Sequence, residues 1–296
     1  MGIHKIAENT RPTLGVVAIS RNEEKDLPAF ISHLEPWVDE IIVVDDGSTD
    51  QTLNILKQAG QKVTLVEQRM DPEYGFAGQR NRGIAESHSD WLLHMDIDER
   101  VPPLLAAEIL AAISSGGFDA YRYRRLNFFL HRPMKAGGFQ DWNNPQLAHR
   151  GYHHFENAVH EACIIKNGPG TIGQLNERMW HLNDETYKER MEKSLVYCQN
   201  QSKRLAAKGI RVRWYHLLLL PMMEFLRKWV LKRGYRDRTP GLLFSLHAAS
   251  AMFRASALVW DNQNRLKRSD LENQLRDMWI SNCNNFKNKF FERNER

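Results

Sequence analysis

Cysteine is scarce in this chain: three in 296 residues (Cys163, Cys198 and Cys283), far apart and with no CxxC pair. That excludes a disulfide framework and a cysteine metal centre, and it reads as reduced thiols of a cytosolic protein. Met1 to Thr10 has no apolar run long enough for a signal peptide, which again sets a cytoplasmic expectation. Internal repeats and low-complexity linkers are lacking, so solenoids and disordered scaffolds are excluded. A global excess of either charge is also missing. The net charge is only +5, yet residues 203–238 carry eleven Lys/Arg against two acids, a local +9 that leaves −4 for the remainder. The basic character therefore belongs to one segment. Its aromatic and apolar neighbours favour an anionic lipid surface over nucleic acid.

What is present falls into three zones. From about Pro12 to Phe129, short β-rich runs alternate with helical patterns, which predicts an α/β unit with a mostly parallel sheet. Leu14–Ser20, Glu40–Val44, Val63–Glu67 and Trp91–Met95 read as strands. Asp26–Glu35, a helix capped by Ser48-Thr49-Asp50-Gln51 and ending at Gly60, Gln79–His88, and a helix from Pro102-Pro103 to Ser114 read as their connections. Residues 118–182 hold the remaining strands and long loops. Beyond them the chain is helical: Asp184–Ala207, with an apolar face of Tyr187, Met191, Leu195, Cys198, Ser202 and Leu205, then Val212–Leu231, Gly241–Trp260 and a polar tail. The expected division is a catalytic domain over 12–182 and a helical, basic, membrane-associating region over 183–296.

Chemistry concentrates where strands end. Asp96-Ile97-Asp98 follows WLLHM, and two carboxylates two residues apart at the carboxyl edge of an open sheet suit Mg²⁺ or Mn²⁺ holding a diphosphate. A solvated acidic turn, with Asp98 capping the next helix, is the plainer alternative. Asp45-Asp46-Gly47-Ser48 ends the second strand; a carboxylate there can accept a uracil imide N–H, or the segment is simply a strand-to-helix turn. Ser20-Arg21-Asn22-Glu23-Glu24 can line a nucleotide pocket through Ser20, Asn22 and Glu23, or form an ordinary helix entry. Gln79-Arg80-Asn81-Arg82-Gly83 can offer arginine to phosphate, or be a surface charge cluster.

The order of these motifs, strand–NEE, strand–DDGSTD, QRNRGI–helix, strand–MDIDE, resembles family 2 glycosyltransferases over Val16 to Arg100. Asp96-Ile97-Asp98-Glu99-Arg100 followed by Val159-His160-Glu161, Trp180-His181 and two apolar C-terminal helices is similar to the branch of lipopolysaccharide-core glucosyltransferases. In place of that branch's arginine and aromatic, Gln146 and Ala148 stand here.

The resemblance implies a GT-A fold and an inverting, metal-dependent transfer from a nucleotide-diphosphate sugar to a lipid-linked glycan. It places the protein peripherally, on the cytoplasmic side of the inner membrane, with Mn²⁺ or Mg²⁺ as cofactor. By position, Asp46 meets uracil, Arg80 the nucleotide and Asp96 the ribose and metal, while Asp98 and His181 hold the metal directly. Glu161 is the first choice of base and Asp141 the second; Trp142, Tyr152 and Phe155 can stack on a sugar or pack in the core. A sugar nucleotidyltransferase would open on a glycine-rich basic loop, whereas the first strand here leads into ISRNEE. A non-catalytic membrane-binding module would leave Asp96, Asp98 and His181 without a shared role.

Overall fold

A computed structural model describes residues 11–138, 142–158 and 161–291. Among these residues eleven strands run in chain order as β1 (Leu14–Ser20), β2 (Glu40–Asp45), β3 (Val63–Glu67), β4 (Trp91–Asp96), β5 (Glu99–Arg100), β6 (Ala120–Phe129), β7 (Arg132–Pro133), β8 (Asn143–His149), β9 (His153–Glu156), β10 (Ala162–Ile165) and β11 (Ile172–Asp184). The helices are α1 (Leu27–Leu34), α2 (Thr52–Gln58), α3 (Gly75–Glu86), α4 (Pro103–Ser115), α5 (Tyr187–Ala207), α6 (His216–Leu226), α7 (Arg238–Asn264) and α8 (Arg268–Phe291).

The main sheet has the order β3-β2-β1-β4-β8-β6-β11-β5, with β7 on β6. The first four strands are mutually parallel, whereas β8 is antiparallel to both β4 and β6. This is the expected α/β, Rossmann-like mixed sheet. Covering both faces of a parallel sheet requires strands that are apolar throughout, which is why LGVVAIS does not alternate. Val16 and Ala18 pack with α1 (Phe30, Leu34) and α4 (Leu105, Ile109) on one face, while Val17 packs with Ile42, Val44 and Leu92 on the other. On that second face α3 approaches closely: a Cβ on Gly83 would lie 2.4 Å from Val17 Cγ1, so glycine sets the helix–sheet spacing.

The order of strand addition switches sides at β1: β2 and β3 lie on one side of it and β4 on the other. Register places Ser20 opposite Asp45 and Ile19 opposite Asp96, so three motif-bearing strand ends meet at one carboxyl edge. Such a switch point is where open α/β sheets bind ligands.

Several local expectations are corrected. Ser48 does not cap α2: its Oγ donates to Asp45 Oδ2 (2.5 Å), and the Thr52 N–H donates instead to Asp50 Oδ1 (3.0 Å). The helix expected at Gln79 starts four residues earlier, at Gly75. The single helix expected over Val212–Leu231 is α6 followed by a π-helical turn at Arg227–Leu231. In α5 the buried positions are Ser194, Cys198 and Leu205, whereas Met191 and Leu195 are exposed.

Two compact units emerge. Among the described residues, those up to Arg190 together with Lys228–Ser245 form the first; Met191–Arg227 and those from Leu246 form the second. In the second, Leu205, Val212, Ala255 and Val259 make a small apolar cluster, and Arg254 donates to Ser194 Oγ (2.9 Å) and Ser250 Oγ (2.9 Å).

Candidate functional site

The loops after β1 and β2 are cross-linked before any ligand is considered. Ser20 Oγ donates to Asp45 Oδ2 (2.8 Å), and Asp45 Oδ1 accepts the Ser48 N–H (2.8 Å). Both Ser20 and Asp45 are buried. Their polar atoms turn inward and satisfy one another, as buried polar groups must. Asn22 adopts a left-handed backbone (φ 58°) and accepts the Thr49 N–H on Oδ1 (2.8 Å). Glu23 is anchored through its own N–H to Thr52 Oγ1 (2.7 Å). These two tie the loops together.

Asp46 is different. It stands half-buried at the edge, accepting the Met70 N–H (2.6 Å) on Oδ1 and Arg21 (2.9 Å) on Oδ2. Beside it Gly47 has φ +73°, with the Arg69 guanidinium over its Cα. Of the adjacent carboxylates, Asp46 is the one presented outward.

At the end of β4 the structure gathers Asp96, Asp98, Arg80, Glu161 and His181, all expected from the sequence. Asp98 Oδ2 lies 3.2 Å from His181 Nε2, and one donor atom from each of Asp96, Asp98 and His181 fall within 4.8 Å of one another. Two hard carboxylates and an imidazole at this spacing fit a divalent cation such as Mn²⁺ or Mg²⁺. His181 Nδ1 contacts Asn127 Oδ1 at 2.6 Å. A donated Nδ1–H there fixes the tautomer and leaves Nε2 free for a cation, the usual support of a ligating histidine. Burial disfavours the charged ring, but the hydrogen bond to Asp98 outweighs it and raises the His181 pKa.

Buried guanidinium groups set the electrostatics. Asp96 Oδ1 pairs with Arg80 and Oδ2 with Arg125, each at 2.7 Å. Burial pushes the Asp96 carboxyl up, yet the two arginines overcome this and hold it well below the usual range. Arg80 also reaches Glu161 Oε1 (3.2 Å), so one guanidinium, itself 3% exposed, orients both acids. Arg125 binds Glu99 (2.5 Å) and stacks on Trp142 with its Cζ 4.0 Å from the ring centroid. Burial raises Glu99 to about 7 despite that partner.

Arg125, Glu99 and Asn127 escaped the sequence reading. The signal that could have found them is the alternation of β6: Tyr121, Tyr123, Asn127 and Phe129 are buried and Arg125 half-buried, so two polar residues occupy positions on the inward face. Of the aromatics, Phe155 is core, packed on His94 at 4.6 Å beneath Arg80. Tyr152 lies against His149, and Trp142 stacks on Arg125. Asp141 and His160 lie outside the described residues.

Behind the site, His94 Nε2 and His153 Nε2 are 2.7 Å apart. Burial, the neighbouring His153 and the Arg80 charge hold His94 well below its usual value. Burial also lowers His153 to about 4, the Nδ1 contact with the His149 carbonyl and the neighbouring His154 and His149 being smaller influences. Both rings are neutral when folded, and the unfolded chain binds more protons. Their stabilisation is thus complete above the unfolded pKa near 6.5 and is lost as pH falls towards 4. For His153 alone the loss is about 3 kcal/mol. Urea unfolding between pH 7 and 4.5 is expected to show this decline, and His153→Leu to flatten it; an unchanged slope in the variant contradicts the assignment.

Comparison with known proteins agrees with this picture. Residues 15–160 match the model of glycosyl transferase family 2. An uncharacterised glycosyltransferase of Rickettsia felis is 27% identical over 277 residues, covering 90% of this chain and 95% of that one. The lipopolysaccharide core biosynthesis glycosyltransferase LpsC of Rhizobium meliloti is 24% identical over 268 residues, covering 88% and 97%. Among solved structures, glucosyl-3-phosphoglycerate synthase of Mycobacterium tuberculosis, crystallised with Mn²⁺, UDP and glucosyl-3-phosphoglycerate, aligns with a TM-score of 0.44 at 20% identity over 68% of this chain and 81% of that one. Residues 15–160, which carry the four motifs between β1 and β5, thus form a glycosyl transferase family 2 domain, and the protein is a glycosyltransferase.

Proposed function

We propose that this chain transfers a sugar, with inversion at the anomeric carbon, from a UDP-sugar to a hydroxyl of a lipid-linked glycan in surface polysaccharide or lipopolysaccharide assembly. The observation that carries it is the Asp98–His181 pair beside Asp96, on the sheet edge that also presents Asp46. The core-biosynthesis role in the name of LpsC supports the acceptor class.

Asp98 and His181 would hold Mn²⁺ or Mg²⁺, which when bound neutralises the departing diphosphate. Asp46 accepts the imide N–H of the base, and Gly47 lets the backbone turn beside it. Arg80 and Arg125 hold Asp96 in place beside the ribose. Glu161 takes the proton from the acceptor hydroxyl as the new C1–O bond forms and the bond from C1 to the diphosphate oxygen breaks. Its pairing with Arg80 holds that carboxylate in a defined position beside Asp96. Asp141, outside the described residues, is the second candidate for this step.

The test is transfer from a panel of UDP-hexoses to a lipid-linked core acceptor, reading UDP release. Release of pyrophosphate instead points to nucleotidyl transfer and removes this reading. Glu161→Gln is expected to lower turnover roughly 10²-fold while donor binding, read by thermal shift, is kept. Activity near that of the parent moves the base to Asp141.

Membrane contact has its own support. α6, His-Leu-Leu-Leu-Leu-Pro-Met-Met-Glu-Phe-Leu, buries none of its residues, and Trp214 before it is 73% exposed. An apolar helix that exposes Leu218, Leu219, Met222, Met223 and Leu226, followed by Lys228, Lys232, Arg233, Arg236 and Arg238, suits the headgroup boundary of an anionic bilayer. The segment Gly234–Asn264 is long and apolar enough to cross a membrane, with mean hydropathy 1.4. Arg254, with three side-chain hydrogen bonds to Ser194, Cys198 and Ser250, sits within it and favours lying at the surface. Each interfacial cation is worth about 1 kcal/mol near such a surface. The protein is expected to float with liposomes containing phosphatidylglycerol and not with purely zwitterionic ones. Equal flotation with both contradicts the electrostatic part.

A further inference from the structure

A second recess lies in the first unit and shares no residue with the Asp96–Asp98–His181 cluster. It is a cleft of about 640 Å³ between the β6–β7 turn and the start of α7. Leu130, Pro133, Pro240 and Leu243 form its apolar walls, and Arg132 and Arg238 stand in its lining. Among the described residues the Arg238 guanidinium has no hydrogen-bond or ion-pair partner, and that of Arg132 only the Leu130 carbonyl (3.2 Å). The one acid in the lining, Asp237, is committed elsewhere: its carboxylate accepts the N–H groups of Lys135 (3.0 Å) and Ala136 (2.8 Å). Arg132 and Arg238 therefore line, with Asp237 and Thr239, a recess whose other lining residues are apolar.

The walls are braced. Phe129, Met134 and Phe244 are buried against one another, and the Gly137 N–H donates to the Lys232 carbonyl (2.8 Å). Two of the lining residues, Leu130 (φ 52°) and Arg238 (φ 53°), hold a left-handed backbone without being glycine. Such conformations cost about 1–3 kcal/mol each and persist only where surrounding structure imposes them.

We infer that this cleft binds a phosphate group that carries an apolar chain, the guanidinium groups taking the phosphate and Leu130, Pro133 and Leu243 the first carbons of the chain. Arginine forks match phosphate oxygens. Apolar walls give a bare inorganic ion nothing to gain. The inference stands apart from the transfer reading, since no residue of the proposed catalytic set is involved.

The test is calorimetric titration of the full chain with n-octyl phosphate below its micellar concentration, beside inorganic phosphate and octyl glucoside. Saturable binding of octyl phosphate is expected, with the other two at least tenfold weaker. R132A/R238A is expected to raise its Kd at least tenfold, whereas K267A/R276A, which removes the same charge just before and within α8, leaves it unchanged. Equal binding by R132A/R238A overturns the site. Inorganic phosphate binding as tightly as octyl phosphate replaces the amphiphile by a free anion, and octyl glucoside doing so removes the phosphate; either overturns the inference. Should the double variant melt early, R132A alone, on the exposed turn, is read in its place, and parent-like binding by it overturns the site equally. Asp98→Ala should bind octyl phosphate like the parent, so failure here and failure of the catalytic reading remain distinguishable.

Discussion

Asp98→Ala is expected to lower sugar transfer at least ~10³-fold and to abolish any thermal stabilisation by UDP that depends on Mn²⁺. Each tenfold loss is about 1.4 kcal/mol of barrier, and stabilising a departing diphosphate is worth several kcal/mol. Three such factors are therefore in range for removal of one ligand. Asp98 is suited to the experiment because its side chain is 31% exposed and, among the described residues, its carboxylate pairs with His181 alone. Its loss should cost little folding stability, so a melting curve in the absence of metal separates the two effects. His181→Ala should show the same signature at smaller amplitude, since a carboxylate remains. If Asp98→Ala transfers at the parent rate, the cation assignment fails and with it the proposed handling of the leaving group.

Arg125→Ala is expected to destabilise the protein by about 3–5 kcal/mol, the range for removing one partner of a buried ion pair. The reason is desolvation. Glu99 is 0% exposed and Asp96 is held at 2.7 Å by the same guanidinium, so two carboxyls lose compensation at once. Trp142 also loses its stacking partner.

The deficit should depend on pH with a definite sign. Folded Glu99 keeps its proton up to about 7, above its unfolded range, so its contribution is full below pH 4.5 and is lost as pH rises through 7. Removing Arg125 worsens the ionised form most, and the deficit in urea midpoints should be larger at pH 8 than at pH 5. Arg125→Lys should recover only part of it, because one ammonium cannot reproduce the fork that reaches Asp96, Glu99 and the indole face. A deficit under about 1 kcal/mol at pH 8 contradicts the account.

Much of this site was legible from residue order. Asp46, Asp96 and Asp98 were named from strand-end motifs, Arg80 from a helix-opening one and Glu161 and His181 from the family resemblance, and all but Asp46 gather within one cluster. Less legible was which of two neighbouring polar residues faces inward. Ser20 and Asp45 resembled pocket residues as much as Asp46 did. Only the parallel register, Ser20 beside Asp45, closes their side chains on each other. Ser48 likewise fitted a capping box until Asp45 took its hydroxyl.

Hydrophobic runs and turn residues act over a few positions, so the linear chain by itself determined the four parallel strands, their connecting helices and the carboxylates at their ends. Ion pairing is governed by distance through space, and Asp96 to Arg125 is a contact across 29 positions that no local pattern encodes. Tertiary packing alone decided that Arg80 and Arg125 grip Asp96 from both sides, that Asn127 orients His181, and that α6 leaves Leu218, Met222 and Met223 exposed. Each of those outcomes depends on which strands become neighbours, and that is set by the whole sheet.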